Sequence, residues 1–99
     1  MSLYVVIAVS FDRHGEVERV RWAKADGPAH TLTGRLHNVG VDRVLDAIDR
    51  GDVVELHFQT AGGSVSGGRL CRKLLPGGTE SVTEVRGVKG RTLHDLPTF

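Results

Sequence analysis

The chain consists mostly of short segments in which hydrophobic and polar residues alternate. Such period-two alternation, together with β-branched and aromatic residues, is typical of strands. It predicts strands at residues 3–11, 16–24, 53–60, 69–75 and 81–88. The sequence VDRVLDAIDRG differs, because Val41, Val44, Leu45 and Ile48 fall at i, i+3, i+4 and i+7. This spacing predicts one helix over about 40–50.

The order of these elements is ββαβββ, and it predicts an α+β fold. We expect a mainly antiparallel sheet of about five strands with the helix packed on one face. Asn38 is the expected N-cap of the helix, and Gly51 is its expected left-handed C-terminal cap. Residues 30–36 are interpreted as either a short strand or an ordered loop. The glycine- and serine-rich residues 61–68 favour a hairpin loop.

The chain length of 99 residues fits a single domain, residues 1–99, with one hydrophobic core. Leu93, Leu96 and Phe99 predict that a tail at about 90–99 docks on that domain. The predicted core contains Val5, Ile7, Val9, Val20, Trp22, Val41, Val44, Leu45, Ile48, Val54, Leu56, Phe58, Leu70 and Leu74.

Charge is almost balanced, at a formal net value of +1, which argues against a strongly basic nucleic-acid binder. The two parts of the chain differ, however. Residues 1–55 carry seven basic and nine acidic side chains, a net charge of −2, whereas residues 56–99 carry six and three, a net charge of +3. Cys71 is the single cysteine, as a reducing compartment permits, and no apolar run approaches the roughly 20 residues of a membrane span. We therefore expect a cytoplasmic protein without a membrane partner.

Two features of the second part are candidates for anion binding. The first is a basic cluster on adjacent predicted strands and the tail, which would contact phosphates if its members shared a face. It comprises Arg69, Arg72, Lys73, Arg86, Lys89 and Arg91. The second is a loop nest of backbone N–H groups. It comprises Gly62, Gly63, Gly67 and Gly68. A solvated sheet face and an ordinary hairpin loop are the favoured interpretations of these features, and anion binding is the alternative.

Catalytic, metal and cofactor motifs find little support. The phosphate-loop and dinucleotide spacings are not matched, so no cofactor is expected. The five histidines are scattered without ligand spacing, so no metal site is expected, and His57 alternates outward toward the surface. Cys71 is interpreted as a core or half-buried thiol. No catalytic residue is assigned.

One resemblance spans most of the chain. The helix pattern of Val41, Val44, Leu45, Ile48 and Gly51 follows a strand hairpin, and Leu93, Leu96 and Pro97 form a terminal L-x-x-L-P motif. This layout resembles a family of small bacterial domains of unknown function, and it is similar to small hypothetical proteins of Burkholderia-type bacteria. The resemblance implies a fold layout and a bacterial origin, and no mechanism.

The sequence favours a non-catalytic binding or accessory module that acts through a sheet face, an exposed edge or the docked tail, with a protein as its partner. The first alternative is weak nucleic-acid or polyanion binding through residues 69–91. The second is a small enzyme that uses Cys71 or a histidine. Oligomeric state does not follow from the sequence.

Overall fold

The computed structural model describes residues 2–26, 31–60, 63–85 and 90–99. The fold is α+β, as the sequence predicts. Its elements in chain order are β1 (Leu3–Phe11), β2 (Val17–Asp26), β3 (Thr31–Leu32), β4 (His37–Gly40), α1 (Val41–Asp49), β5 (Val53–Thr60), β6 (Gly63–Leu74), β7 (Glu80–Glu84) and a 3₁₀ turn (Leu93–Asp95). Within the described residues, α1 has nine residues, and no helix is long and apolar enough to cross a membrane.

The strands form one mixed sheet in the order β3-β2-β1-β5-β6-β7, with β4 also paired to β2. Among the strand pairs of the described residues, the β1–β5 pair alone is parallel, with Leu3 to Val6 opposite Val53 to Leu56. The predicted β1–β2 hairpin is confirmed. Its turn is closed by the Asp12 carboxylate, which accepts hydrogen bonds from the backbone N–H groups of His14 and Glu16, and by Gly15 at a φ of 81°.

Three strand predictions were wrong. The glycine-rich residues expected in a loop are strand from Gly63 onward, because β6 pairs with β5 over 63–69 and with β7 over 70–74. The last strand ends at Glu84, and residues 86–88 of the prediction lie outside the described residues. Strand β4 was missed altogether, although it pairs with β2 along all four of its residues.

Helix α1 begins one residue after its N-cap, Gly40, and not after Asn38. Asn38 instead lies in β4, where its side-chain oxygen accepts a hydrogen bond from Arg21 Nε at 2.9 Å. Gly51 has the predicted left-handed conformation, with a φ of 87°, and its N–H donates to the Ile48 carbonyl. Of the predicted apolar stripe, Val44 is fully buried and the other three residues are half-buried against the core.

A bulge in β1 determines which side chains reach the core. The register shifts between Val6 and Ala8, so that Val6 lies opposite Trp22 and Val9 lies opposite Val20. All four of these side chains are buried in one cluster. Strict alternation had placed Val6 and Val9 on opposite faces, and it therefore left Val6 out of the predicted core.

Most of the predicted core is confirmed, with one clear error. Leu74 lies at the end of β6 and is 73% exposed, whereas the prediction buried it. Buried residues that the sequence did not indicate include Val17, Ala47 and Val82.

The C-terminal residues lie against β1. Val9 donates its N–H to the Pro97 carbonyl at 3.0 Å, and Phe99 donates to the Val9 carbonyl at 3.1 Å. Leu93 and Leu96 are both buried in the core cluster. The 3₁₀ turn that carries them is held by a capping box between Thr92 and Asp95.

Candidate functional site

A cationic pocket of about 310 Å³ lies where α1 meets the edge of the sheet formed by β2 and β4. We use the name cationic pocket for the cavity lined by Tyr4, Trp22, Ala23, Lys24, Gly34, Arg35, His37, Val39, Arg43 and Arg50. Its members come from β1, β2, the β3–β4 connection, β4, α1 and the C-cap of α1. No single stretch of sequence therefore contains it.

Two aromatic rings form the apolar part of the pocket. Tyr4 and Trp22 are stacked, with ring centroids 4.2 Å apart and planes inclined by 19°. They meet because Trp22 is the diagonal neighbour of Tyr4 across the β1–β2 pair, in which Tyr4 lies opposite Lys24. Trp22 is 7% exposed, whereas Tyr4 is half-buried.

Backbone pairing brings the polar side chains around these rings. Lys24 lies opposite Tyr4, with its ammonium 6.0 Å from the ring centroid, and His37 lies opposite Trp22 in the β2–β4 pair. The connection that carries Gly34 and Arg35 is tied to β2, because Thr33 donates its N–H to the Lys24 carbonyl at 2.9 Å.

Helix α1 supplies two further cations to the pocket. Arg43 and Arg50 are seven residues apart, so they lie on the same side of the helix, two turns from each other. Arg50 is paired with Asp52, since its Nη2 atom lies 3.1 Å from the carboxylate. That carboxylate also accepts the Ser2 backbone N–H at 2.9 Å, and this bond, together with Arg50, lowers the pKa of Asp52.

The other three cations have no carboxylate partner in the part of the chain that the structure describes. Among the described residues, none of Lys24, Arg35 and Arg43 takes part in an ion pair, and no Asp or Glu lines the pocket. Like charges that converge without compensation repel one another, and they create a positive potential in the cavity. The pocket therefore favours an anion.

The basic cluster predicted from the sequence is arranged differently. Arg72 forms ion pairs with Asp49 of α1 and Glu80 of β7, and Lys73 Nζ lies 3.4 Å from Glu16 Oε2. Arg69 and Arg91 are exposed, whereas Arg86 and Lys89 lie outside the described residues. Two of the four described members are thus already neutralised by carboxylates.

The predicted glycine nest falls within a strand. Gly63, Gly67 and Gly68 belong to β6, and Gly62 lies outside the described residues. Gly67 is the unpaired residue of a bulge, because Leu56 pairs with Gly68 and His57 pairs with Ser66. A Cβ atom at Gly67 would lie 2.4 Å from the Phe58 ring and 2.8 Å from the Arg91 carbonyl oxygen. This glycine is therefore required by close packing against the tail.

His57 was predicted to point toward the surface, but the structure places it in a largely buried position. Its side chain is 10% exposed and lies 3.9 Å from Glu55, beside a second cavity of about 400 Å³. That cavity is lined by Ile7, Ala8, Arg21, His57, Phe58, Asp95 and Pro97. Asp95 accepts hydrogen bonds from the backbone N–H and hydroxyl of Thr92, which lower its pKa.

Cys71 is half-buried, and within the described ranges no three His, Cys, Asp or Glu residues are grouped as metal ligands.

No protein-family model, curated protein or solved structure matches this chain. The resemblance to small bacterial domains therefore stays a prediction, and the interpretation of the cationic pocket rests on its own geometry.

The sequence contained a partial signal for the pocket. The seven-residue spacing of Arg43 and Arg50 on the predicted helix was visible, as was the proximity of Trp22 and Lys24 on one strand. What the sequence did not show was β4, which carries His37 and brings Arg35 close to the helix. The distribution of charge along the chain did not indicate the pocket either. Its four cations all belong to residues 1–55, the part with a net negative charge, and they are Lys24, Arg35, Arg43 and Arg50.

Proposed function

We propose that this protein is a non-catalytic binding module that holds an anionic ligand in the cationic pocket. The observation that carries the proposal is the convergence of Lys24, Arg35 and Arg43, without a carboxylate partner among the described residues, on one cavity. A bound anion would relieve their mutual repulsion.

The side chains present suit a ligand rich in oxygen acceptors. Arginine presents a planar fork of N–H donors that matches carboxylate or phosphate oxygens in pairs, and lysine adds a compact charge with three donors. The pocket volume of about 310 Å³ lies at the lower end of the range of roughly 300–1,000 Å³ for small-molecule sites. The ligand, or the part of it that enters the pocket, is therefore small.

This proposal moves the anion-binding surface away from residues 69–91. Arg72 and Lys73 are the centre of that segment, and their carboxylate partners compete with any external phosphate. Polyanion binding there is consequently the less favoured alternative. A cytoplasmic location, a bacterial origin and a protein partner at another surface belong to the same proposal as expectations from the sequence.

The direct test is calorimetric titration with inorganic pyrophosphate at low salt. We expect Arg43→Gln to weaken binding by about tenfold, the effect of losing one charge-assisted hydrogen bond. The matched control is Arg69→Gln, which removes an exposed arginine from the alternative segment and should leave the affinity unchanged. Added salt should weaken binding to the wild-type protein.

Two results would contradict the proposal. One is a lack of pyrophosphate binding by the folded wild-type protein at low salt. The other is an equal loss of affinity in the two variants, which would indicate diffuse attraction to the whole surface.

A further inference from the structure

The aromatic pair gives the cationic pocket a feature that anion binding alone does not need. Inorganic anions and simple carboxylates have no surface that gains from an aromatic ring. In this pocket, however, Tyr4 and Trp22 both line the cavity together with the cations that lack a carboxylate partner among the described residues. A ligand that uses the whole pocket must therefore combine a flat apolar face with negative charge.

We infer that the ligand is a nucleotide unit, whose base stacks on the Tyr4 side of the aromatic pair while its phosphate is held by Arg35 and Arg43. The inference rests on the proposed function and specifies its ligand class. Stacking of bases on aromatic side chains, combined with cations that follow the phosphates, is the general chemistry of single-strand recognition. A free nucleotide and one nucleotide of a single strand share this chemistry.

Tyr4 is the residue placed to receive the base. Trp22 is almost completely buried, and its ring is covered by Tyr4, whereas Tyr4 is only half-buried. The ammonium of Lys24, an exposed side chain, lies over the same ring at 6.0 Å from its centroid. An arriving base would take the place of the ammonium over the ring and extend the existing stack, with the displaced Lys24 charge next to it.

The hydrogen-bonding groups of the pocket agree with this ligand class. Except for His37 and the Tyr4 hydroxyl, the polar groups of the side chains that line it belong to lysine, arginine and Trp22, which donate and do not accept. A neutral sugar alone would need acceptors for its hydroxyl hydrogens. Phosphate oxygens, and the carbonyls and unprotonated ring nitrogens of a base, are acceptors, so they match the donors available.

The test uses the fluorescence of Trp22, the only tryptophan in the chain, as a local reporter. The probes are a nucleoside monophosphate, ribose 5-phosphate, a short single-stranded thymidine oligonucleotide and an abasic strand of the same length. We expect at least one base-containing probe to change the Trp22 emission and to bind at least about fivefold more tightly than its base-free counterpart. The mononucleotide and the strand are compared to distinguish the two sources.

Substitutions of Tyr4 isolate the contribution of its ring to the binding of base-containing probes. Tyr4→Leu should abolish the preference for base-containing probes and leave the affinity for base-free probes unchanged, whereas Tyr4→Phe should retain the preference. Phe11→Leu is the matched control, because Phe11 is also half-buried and stacks on a ring, that of His94, but does not line the pocket. Circular dichroism establishes that each variant is folded.

The outcomes separate the two proposals. If base-free and base-containing probes bind equally, the nucleotide inference is overturned, and anion binding at the pocket stands. If none of the probes and no pyrophosphate binds, both proposals fail. If Tyr4→Leu retains the preference, the base is not stacked on Tyr4, and the inference is again overturned.

Discussion

At the scale of single residues, burial in this fold depends on where a strand ends as much as on its alternation. Leu56 and Leu74 both fit the predicted core by periodicity. Leu56 is fully buried at the centre of the sheet, whereas Leu74 is paired with Glu80 at the tip of the β6–β7 hairpin, where no layer covers it among the described residues. The sequence pattern identifies the apolar face of a strand, but not the point at which the face leaves the core.

These two leucines make a matched pair of stability tests. Leu56→Ala should lower the free energy of unfolding by about 2–5 kcal/mol, because it leaves a cavity in the core. Leu74→Ala should change it by no more than about 0.5 kcal/mol, since an exposed side chain loses little. Chemical denaturation of both variants gives the comparison. Similar losses in the two would contradict the observed burial.

Among the described residues, three aspartates with lowered pKa values are expected to make the stability of the fold depend on pH. Backbone N–H groups stabilise their charged forms: those of Glu16 and His14 for Asp12, that of Ser2 for Asp52 and that of Thr92 for Asp95. A folded pKa below the unfolded value of about 3.9 means that the folded protein binds fewer protons in that range. Their contribution to stability is therefore complete above about pH 4 and is lost as the pH falls through the lower folded values.

The corresponding measurement is the denaturant midpoint of the wild-type protein and of Asp52→Asn from neutral to acidic pH. The denaturant midpoint of the wild-type protein should decrease as the pH is lowered below about 4. The difference in midpoint between the two proteins should shrink over the same range, since protonation of Asp52 removes the same charge as the substitution. A difference that stays constant with pH would show that the Asp52 charge contributes nothing.

At the scale of elements, β6 shows how tertiary contacts override local composition. The sequence GSVSGG has the residues of a loop, yet it forms the first part of β6 because β5 provides pairing partners for five of its six residues. The glycines serve the bulge and the close approach of the tail at Gly67. β4 was missed for a related reason: the sequence HNVG is too short and polar to indicate a strand, and its pairing with β2 is decided by the fold.

Substitution of Gly67 tests this explanation of the glycine-rich segment. Gly67→Ala should lower stability by about 1–3 kcal/mol, because the added carbon would overlap the Phe58 ring and the Arg91 carbonyl. Gly34→Ala is the control, since its added carbon would meet Lys24 only at ordinary contact distances of 3.5 and 3.6 Å. Equal thermal denaturation of Gly67→Ala and the wild-type protein would contradict the close packing of β6 against the tail.

At the scale of the whole molecule, the sequence predicts the fold class and the helix but not the β1–β5 pairing that joins the two parts of the sheet. β1 and β5 are separated by β2, β3, β4 and α1, and nothing in the alternation of either strand shows that they pair in parallel. The position of the cationic pocket depends on the β2–β4 pair, because α1 follows β4 directly and therefore begins at that edge of the sheet. Its residues could not be grouped from sequence because they come from several elements whose mutual positions the topology determines.

The tail is a whole-molecule feature with its own test. Leu96→Ala should weaken the docking of the last residues and speed hydrogen exchange at the amides of Val9 and Phe99, which form the backbone bonds between β1 and the tail. The amide of Ala25 is the internal reference, because Ala25 lies opposite Leu3, six residues along β1 from Val9. Unchanged relative protection of Val9 would contradict the stabilisation of this contact by Leu96.

Our main proposal is that an anion binds in the cationic pocket and not along residues 69–91. The most direct measurement is a two-dimensional amide NMR titration of labelled protein with inorganic pyrophosphate at low salt. We expect shifts that cluster at Lys24, Arg35 and Arg43, extend to the Trp22 indole N–H and disappear at high salt. Shifts confined to residues 69–73 and 91, with the pocket unaffected, would contradict it.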